Sequence, residues 1–332
     1  MIKKFLKAHI FNDNHPFFMR LLYEIRARQW ANAEQRNKSM TYSQIEAAIS
    51  KKYQKIFNRK LNWDNPQTYT EKINVSKVYM PTPEKTRLAD KYLVREWIRE
   101  KIGDQYLIPL YGVYDSFDEI DFNSLPDKFV IKCNHDSGSV TLVKDKSKIN
   151  IPELKKKYDA LIKRNFAWLG WEMHYKDIKP KILIEKFMDE AAINDYRFFC
   201  FDGTPYYCAI DFHDKMHRIS ERNFYNMNWE LQPFGLGYPT HNAEVHRPEN
   251  FDEMKKVTEK LCENLSHVRV DLYSIGGKVY CGEMTFTHAN GTQKFTPDEY
   301  DYKLGALWPF DNSIRKKILT QHSRPDFDFS TL

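Results

Sequence analysis

Two carboxylates and a guanidinium recur at strand spacing in the last third of the chain. Val268-Arg269-Val270-Asp271-Leu272-Tyr273 is followed by Gly276-Gly277, then by Lys278-Val279-Tyr280-Cys281-Gly282-Glu283-Met284-Thr285. This pattern predicts two antiparallel strands around a glycine turn. Side chains alternate faces along a strand. Arg269 and Asp271 therefore share a face, as do Glu283 and Thr285. An odd number of residues in the turn would set Asp271 directly opposite Glu283. Like charges that close repel unless a cation joins them. Mg2+ suits such a patch, being a hard ion that takes few carboxylates and leaves positions for phosphate oxygens. The competing reading is the solvated face of an edge hairpin, where exposed charges are common. The apolar flanks Val268, Val270, Leu272, Val279, Tyr280 and Met284 predict a central hairpin with one polar face.

Other elements must position that hairpin and supply what it would hold. Phe129-Val130-Ile131-Lys132-Cys133 reads as an apolar strand with one lysine. The turn Asn134-His135-Asp136-Ser137-Gly138-Ser139 follows, and residues 140–143 return. A small polar turn with glycine can aim backbone N–H groups at phosphate, and Lys132 would add a point charge. An ordinary hairpin looks the same. Residues 181–188 form a strand that loses its apolar character at Glu185. Asp195-Tyr196-Arg197 opens the strand 198–201, Asp202-Gly203 is a hairpin turn, and 206–212 return. A third antiparallel strand is expected at 222–229, and a loop over 234–248. The helix 251–265 turns Met254, Val257 and Leu261 inward and leads into the acidic hairpin. After Glu283, the polar run 285–291 would lie at the mouth of the site.

The first third reads differently. Helical spacing relates Phe17, Leu21, Leu22 and Ile25, and again Ile45, Ala48, Ile49 and Tyr53. A helix begins near Thr70, and Pro81-Thr82-Pro83 ends it. Residues 83–102 are expected as one charged helix with Gly103 as its stop. The first strand-like piece is 106–114. Residues 151–163 are helical, and the tail from Leu304 contains a helix.

The 332 residues can bury a large core, and the high aromatic content excludes a mainly disordered chain. No apolar run is long enough to span a bilayer. The start has basic residues but no apolar stretch before Asn12-Asp13-Asn14, which argues against a secretory signal. Five cysteines without a Cys-x-x-Cys pair read as small hydrophobes in a reducing cytoplasm, not as a zinc site. Residues 1–60 carry 13 Lys and Arg against 4 Asp and Glu, a net +9, whereas the whole chain carries +6. Such a segment can make peripheral contact with an anionic membrane face, or simply form a solvated helical face. No base-reading motif accompanies the charge, so nucleic acid is not expected as a partner.

The order lysine strand with small-residue loop, glutamate-ended strand, Asp-Gly hairpin, helix and acidic hairpin resembles the ATP-grasp superfamily, and within it the TupA-like branch named for teichuronopeptide biosynthesis. The resemblance covers roughly residues 60–310 and rests on Asp90-Lys91, 129–138, 184–187 and 269–287. It implies an α+β fold in which two subdomains with antiparallel sheets clasp a nucleotide, behind a helical N-terminal extension. The implied organisation is a basic helical segment 1–60, a reduced region 61–127, a lid 128–186, a central metal-binding subdomain 187–310 and a tail 311–332.

The resemblance also implies roles. Lys91, expected in the helix after Pro83, would reach nucleotide phosphates from outside the central fold. Lys132 would bind the α- and β-phosphates, and Ser137 and Gly138 would belong to the loop closing over them. His135 would donate to a phosphate or cap the turn. Glu185 would meet the adenine amino group, Lys186 would line the purine pocket, and backbone near Met188 would complete it. Asp195 would take the ribose hydroxyls. Asp271 and Glu283 would be the Mg2+ ligands, and Arg269 would stabilise a tetrahedral transition state. Arg222 is a γ-phosphate candidate or a structural ion pair. Two features depart from the family pattern. Thr285 stands where many members carry Asn as a metal ligand, and its oxygen would still bind metal or water; helices replace the usual first α/β domain.

The activity implied is an ATP- and Mg2+-dependent carboxylate–amine ligase. Its substrates would be a uronic acid of a bacterial surface polysaccharide, such as a capsule, or its precursor, and an amino acid or other amine. Three rivals stand beside it. A kinase would omit the second half-reaction. A glycosyltransferase would use a nucleotide sugar, with Asp326-Phe327-Asp328 as its metal motif. A glycan-binding module would use the basic N-terminus.

Overall fold

The computed structural model describes residues 28–188, 194–213, 219–241, 243 and 245–329. The helix expected around Phe17–Ile25 and most of the basic segment's start lie outside these residues. A helical stretch over 28–38 leads to α1 (Tyr42–Phe57) and, after a loop, α2 (Tyr69–Tyr79). Each of these two begins with a capping box, Thr41 with Gln44 and Thr68 with Glu71. The boxes satisfy N–H groups that the first helical turn leaves open. α2 is buried along its whole length. Its polar residues find internal partners instead of water: Lys72 Nζ donates to Gly305 O at 2.8 Å and Trp308 O at 2.7 Å.

The single helix expected over 83–102 is two helices, α3 (Pro83–Ala89) and α4 (Val94–Ile102). Asp90 makes the break. Its carboxylate accepts from the Tyr92 and Leu93 N–H groups at 2.7 and 3.3 Å, competing with the helical ladder. Lys91 therefore sits in the break between helices.

Four strands, β1 (Leu110–Tyr114), β2 (Phe129–Cys133), β3 (Thr141–Val143) and β4 (Ile182–Lys186), form an antiparallel sheet in the order β1-β4-β2-β3. β1 draws part of the 61–127 region into this sheet. One face packs Phe129, Ile131, Ile182 and Ile184 on Tyr158 and Leu161 of α5 (Ile151–Leu161). Lys132 and Glu185 alternate onto the other face.

The second sheet is built from β5 (Asn194–Phe201), β6 (Thr204–His213), β7 (Ile219–Asn226), β9 (His267–Ile275) and β10 (Lys278–Thr285), in the order β10-β9-β5-β6-β7. The strand expected at 222–229 starts and ends three residues earlier, at Ile219 and Asn226. The loop expected over 234–248 contains the short β8 (Gly235–Leu236), paired with β11 (Phe295–Thr296). α6 (Phe251–Cys262) covers one face, where Met254, Val257 and Leu261 meet Phe198, Val268, Val270 and Leu272. Each such fully buried side chain contributes about 1.5–3 kcal/mol. The other face is apolar at one end only. There Phe199, Phe201 and Phe224 lie under α2 and α7 (Glu299–Leu307), with Tyr69, Ile73 and Leu304 between them. α7 approaches so closely that a Cβ on Gly305 would fall 2.2 Å from Gln67 O. The tail helix α8 (Ser313–Gln321) places Ile318, and the stretch after it places Phe327, against α1.

The turn between β9 and β10 corrects one expectation. It holds two residues, Gly276 and Gly277, both at positive φ, so it is even. A regular ladder from it would pair Asp271 with Gly282. The register instead shifts between Cys281 and Glu283, which makes Gly282 a bulge residue, and Asp271 faces Glu283 after all.

Candidate functional site

The uncovered end of the second sheet carries charge on one face. Cross-strand pairing runs Glu283–Asp271–Arg197 along one row, and Asp211 lies opposite Arg222. Asp195 shares the face of Arg197, two residues along β5. Four carboxylates and three guanidiniums thus meet, with Asp211, Asp271, Arg222 and Arg269 buried and Glu283 37% exposed at the edge. Arg197 bridges Asp195 at 2.6 Å, Asp211, and Asp271 at 3.8 Å. Arg222, 1% exposed, is held by Asp211 on two nitrogens and donates to Leu236 O and Gln293 Oε1. Its guanidinium thus pairs with Asp211.

Arg269 is the hub. Its Nε and Nη2 donate to Asp271 Oδ1 and Oδ2 at 2.6 and 2.5 Å, and Nη2 also reaches Glu283 Oε1 at 3.0 Å. Its Nη1 lies 2.6 Å from His288 Nδ1. A guanidinium only donates, so Nδ1 accepts and the ring proton sits on Nε2, 3.0 Å from Gln293 Oε1. Burial, with Arg269, Arg222 and Arg197 around it, holds His288 well below its usual pKa and hence neutral. Thr285 faces Arg269 across the hairpin and donates to Glu283 Oε1 at 2.8 Å.

The acids are not equivalent. Burial pushes the Asp271 carboxyl up to about 7, opposed by Arg269 and reinforced by Asp195. Burial also raises Glu283, but Lys91 and Arg269 outweigh it and hold that carboxyl below its usual range. Asp195 Oδ1 is buried and has no hydrogen-bond partner among the described residues. This donor set is all hard oxygen, and it holds one acid more than its arginines balance. It fits a divalent Mg2+ held by Asp271 and Glu283. Among the described residues no group of three or more His, Cys, Asp or Glu is placed to hold a metal ion.

Lys91 joins the two sheets. Its backbone N–H donates to Asn134 O at 3.1 Å, its Nζ to Asp136 O, and its charge reaches Glu283. The loop it touches is anchored at both ends: Asn134 Nδ2 on Lys179 O at 3.0 Å, and Ser139 Oγ under the Cys133 N–H at 2.8 Å. Ser137 and Gly138 are exposed at its tip, with Gly138 at φ 86°. His135 lies beneath the loop, buried, with Nδ1 3.3 Å from Asn134 Oδ1 and Nε2 unpartnered among the described residues. Lys132 pairs with Glu185 at 2.6 Å, and Arg95 of α4 approaches the same carboxylate at 3.8 Å. Lys186 is exposed and Met188 half-buried at the end of β4.

The structure therefore brings Arg269, Asp271, Glu283, Thr285, Asp195 and Lys91 together, and pairs Lys132 with Glu185 on the first sheet. Arg197, Asp211, Arg95 and Gln293 were not among the sequence candidates, and His288 entered only within the polar run 285–291 expected at the mouth of the site. For Arg197 and Asp211 a signal existed, since they flank the Asp202-Gly203 turn. For His288 and Gln293, which lie in irregular backbone, periodicity offered none.

Comparison with known proteins follows the same outline. A family model described as TupA-like ATPgrasp matches residues 71–308. No curated protein sequence matches the chain. Among solved structures, D-alanine–D-alanine ligase of Bacillus anthracis complexed with ATP is 16% identical, over 60% of this chain and 54% of that one, with TM-score 0.36. Phosphoribosylamine–glycine ligase of Thermotoga maritima is 15% identical over 67% and 55%, with TM-score 0.41. L-amino acid ligase of Bacillus licheniformis is 14% identical over 81% and 63%, with TM-score 0.45. The match spans less than two thirds of each of these proteins. Among the described residues no helix is long and apolar enough to cross a membrane.

Proposed function

Since the chain belongs to the TupA-like ATP-grasp family, we propose that it is an ATP- and Mg2+-dependent carboxylate–amine ligase. The observation that carries this is Asp271 facing Glu283 across the hairpin, both bonded to Arg269. Mg2+ bound at these two acids would neutralise the phosphates of ATP and polarise the phosphoryl group. Lys132 and Lys91 would bind phosphates, and the 134–138 loop would cover them. Glu185, Lys186 and the backbone at Met188 would meet the adenine. Asp195, with its orphan oxygen, would take a ribose hydroxyl.

In the first half-reaction a substrate carboxylate oxygen attacks the γ-phosphorus and ADP leaves, giving an acyl phosphate. An amine then attacks the acyl carbon, phosphate departs, and the ammonium proton is lost to solvent. Arg269 would hold the oxyanion that forms between these events. By likeness to the family, the acid is a uronic acid of a surface polysaccharide or its precursor, the amine an amino acid, and the setting the cytoplasm. The test is ADP release on a panel of uronic acids and amino acids. Release that needs both partners is expected. Release with one acceptor alone would make the protein a kinase, and none with any pair would refute the ligase.

His288 is a positioning residue in this reading, because it acts through Arg269. A hydrogen bond to a charged group contributes about 1.5–3 kcal/mol, or roughly 10- to 100-fold in rate. His288→Leu should lower kcat by that factor with little change in KM for ATP, and His288→Gln, whose amide oxygen accepts, should recover most of it. Equal losses in both variants would show that Arg269 does not depend on this acceptor.

A further inference from the structure

Gln293 connects two arginines of the charged face. It is half-buried, just before β11. Its Oε1 lies 3.0 Å from Arg222 Nη1 and 3.0 Å from His288 Nε2. His288 Nδ1 in turn lies 2.6 Å from Arg269 Nη1. These side chains form one series of contacts, Arg222 to Gln293 to His288 to Arg269, and a guanidinium at each end can only donate.

A neutral imidazole has one N–H and one acceptor nitrogen, and its neighbours decide which is which. Arg269 needs Nδ1 without a proton, since two N–H groups would otherwise face each other. The opposite nitrogen is contested. Arg222 Nη1 lies 3.4 Å from His288 Nε2, near enough to donate to it. That would leave the ring proton on Nδ1 and set it against Arg269. But Nη1 has only two hydrogens. One goes to Leu236 O at 3.2 Å and the other to Gln293 Oε1 at 3.0 Å. The same amide oxygen takes the proton of Nε2. The amide cannot turn over, because its NH2 would then face the Arg222 donors.

The β8–β11 ribbon holds this arrangement. Gly237 donates its N–H to Lys294 O at 2.9 Å, with φ at 75°. A Cβ on Gly237 would fall 2.5 Å from Gln293 Cδ and 2.8 Å from its Nε2. The amide therefore lies where only a glycine leaves room. Arg222 is fixed by the same segment: the Tyr238 ring centroid is 5.0 Å from its guanidinium, and its N–H donates to Pro239 O at 2.9 Å.

We propose that Gln293 is a positioning residue that fixes the tautomer of His288 and through it the aim of Arg269, with Arg222 and the β8–β11 ribbon fixing Gln293 in turn. Its purpose depends on the proposed ligase, in which Arg269 meets the oxyanion; the contacts themselves do not.

Nitrogen-15 labelling of histidine reads the ring by NMR in the intact protein, and the His288 signals are assigned by their loss in His288→Gln. The wild type should carry the proton on Nε2. Gln293→Met, similar in shape but without a carbonyl, should move it toward Nδ1 and lower kcat roughly 3- to 10-fold with KM for ATP little changed. Gln293→Glu, whose oxygens accept from both neighbours, should restore the wild-type tautomer and most of the turnover. Gly237→Ala, at an exposed position, should push the amide off Arg222 and shift the ring as methionine does. A wild-type ring protonated on Nδ1, or a ring unmoved in both Gln293→Met and Gly237→Ala, would overturn the proposal, as would a tautomer that moves while kcat holds. Full ADP release beside an unresponsive ring removes the positioning role alone. A responsive ring in a protein that releases no ADP with any substrate pair removes the ligase and leaves the control of the tautomer standing.

Discussion

Asp271→Asn should leave a folded protein that no longer turns over ATP and yet resists denaturation better than the wild type in metal-free buffer at pH 8. The two halves have one cause. Four carboxylates share a buried face with three guanidiniums, and Asp271 is the one whose charged form burial and Asp195 disfavour. In the proposed ligase Asp271 would hold Mg2+, which would supply several kcal/mol to phosphoryl transfer; without that charge, activity should fall by about 10³-fold or more, some 4 kcal/mol. The stability effect follows from linkage. A carboxyl raised from 3.8 to about 7 binds its proton more tightly in the folded state. It therefore favours folding at low pH, and that contribution fades as pH rises from about 4 through 7. Asparagine resembles the neutral form at every pH. The denaturation midpoint of the wild type should drop between pH 5 and 8 relative to the variant, and saturating Mg2+ with ATP should restore it in the wild type alone. A variant less stable than wild type at pH 8 would mean that the Arg269 bonds outweigh the buried charge.

The acidic hairpin and the lysine strand were legible because each is a short apolar run carrying isolated charges, the first folded at Gly276-Gly277 and the second followed by a small polar turn. What the chain hid was register. Asp202-Gly203 and Gly276-Gly277 are each two-residue turns, and each hairpin then carries one extra residue on one strand, Tyr206 in β6 and Gly282 in β10. Counting outward from the turns without them puts Asp211 on the face away from Arg197, and Glu283 on the face away from Asp271. A glycine inside a strand is a mark of a bulge, which Gly282 carries and Tyr206 does not, and a period-two count outward from the turns passes over both. Yet these two bulges gather the charged face. The break at Asp90 is another case. A local carboxylate-to-backbone bond outcompeted a helical pattern that composition favoured, and the result is that Lys91 can reach the loop at 134–138. The burial of His135 was not legible either, because Asn134 and Ser139 fold the loop's base inward through bonds that leave no sequence pattern.

Gly282→Val should cost more function than deleting Gly282 altogether, reversing the usual order for a strand. A Cβ at 282 would lie 2.9–3.1 Å from the ring of Tyr273. That ring is hemmed by acids: burial, Asp195, Asp271 and Glu283 all raise its hydroxyl's pKa. It cannot swing aside without disturbing them. A β-branched side chain there should therefore cost about 1–3 kcal/mol of overpacking, relieved most directly by flattening the bulge. A flattened bulge pairs residue 282 with Asp271 and sends Glu283 to the opposite face. Affinity for MgATP should fall at least tenfold, with the circular dichroism of the sheet retained. In the deletion, the turn and the pairs from Lys278 to Cys281 are unchanged, and the former Glu283 moves into the position opposite Asp271 in a regular ladder. Its carboxylate stays on the working face, so MgATP affinity should stay closer to wild type than in the valine variant. If the deletion proves the worse of the two, the bulge serves the site through its twist, not through the side on which it places Glu283.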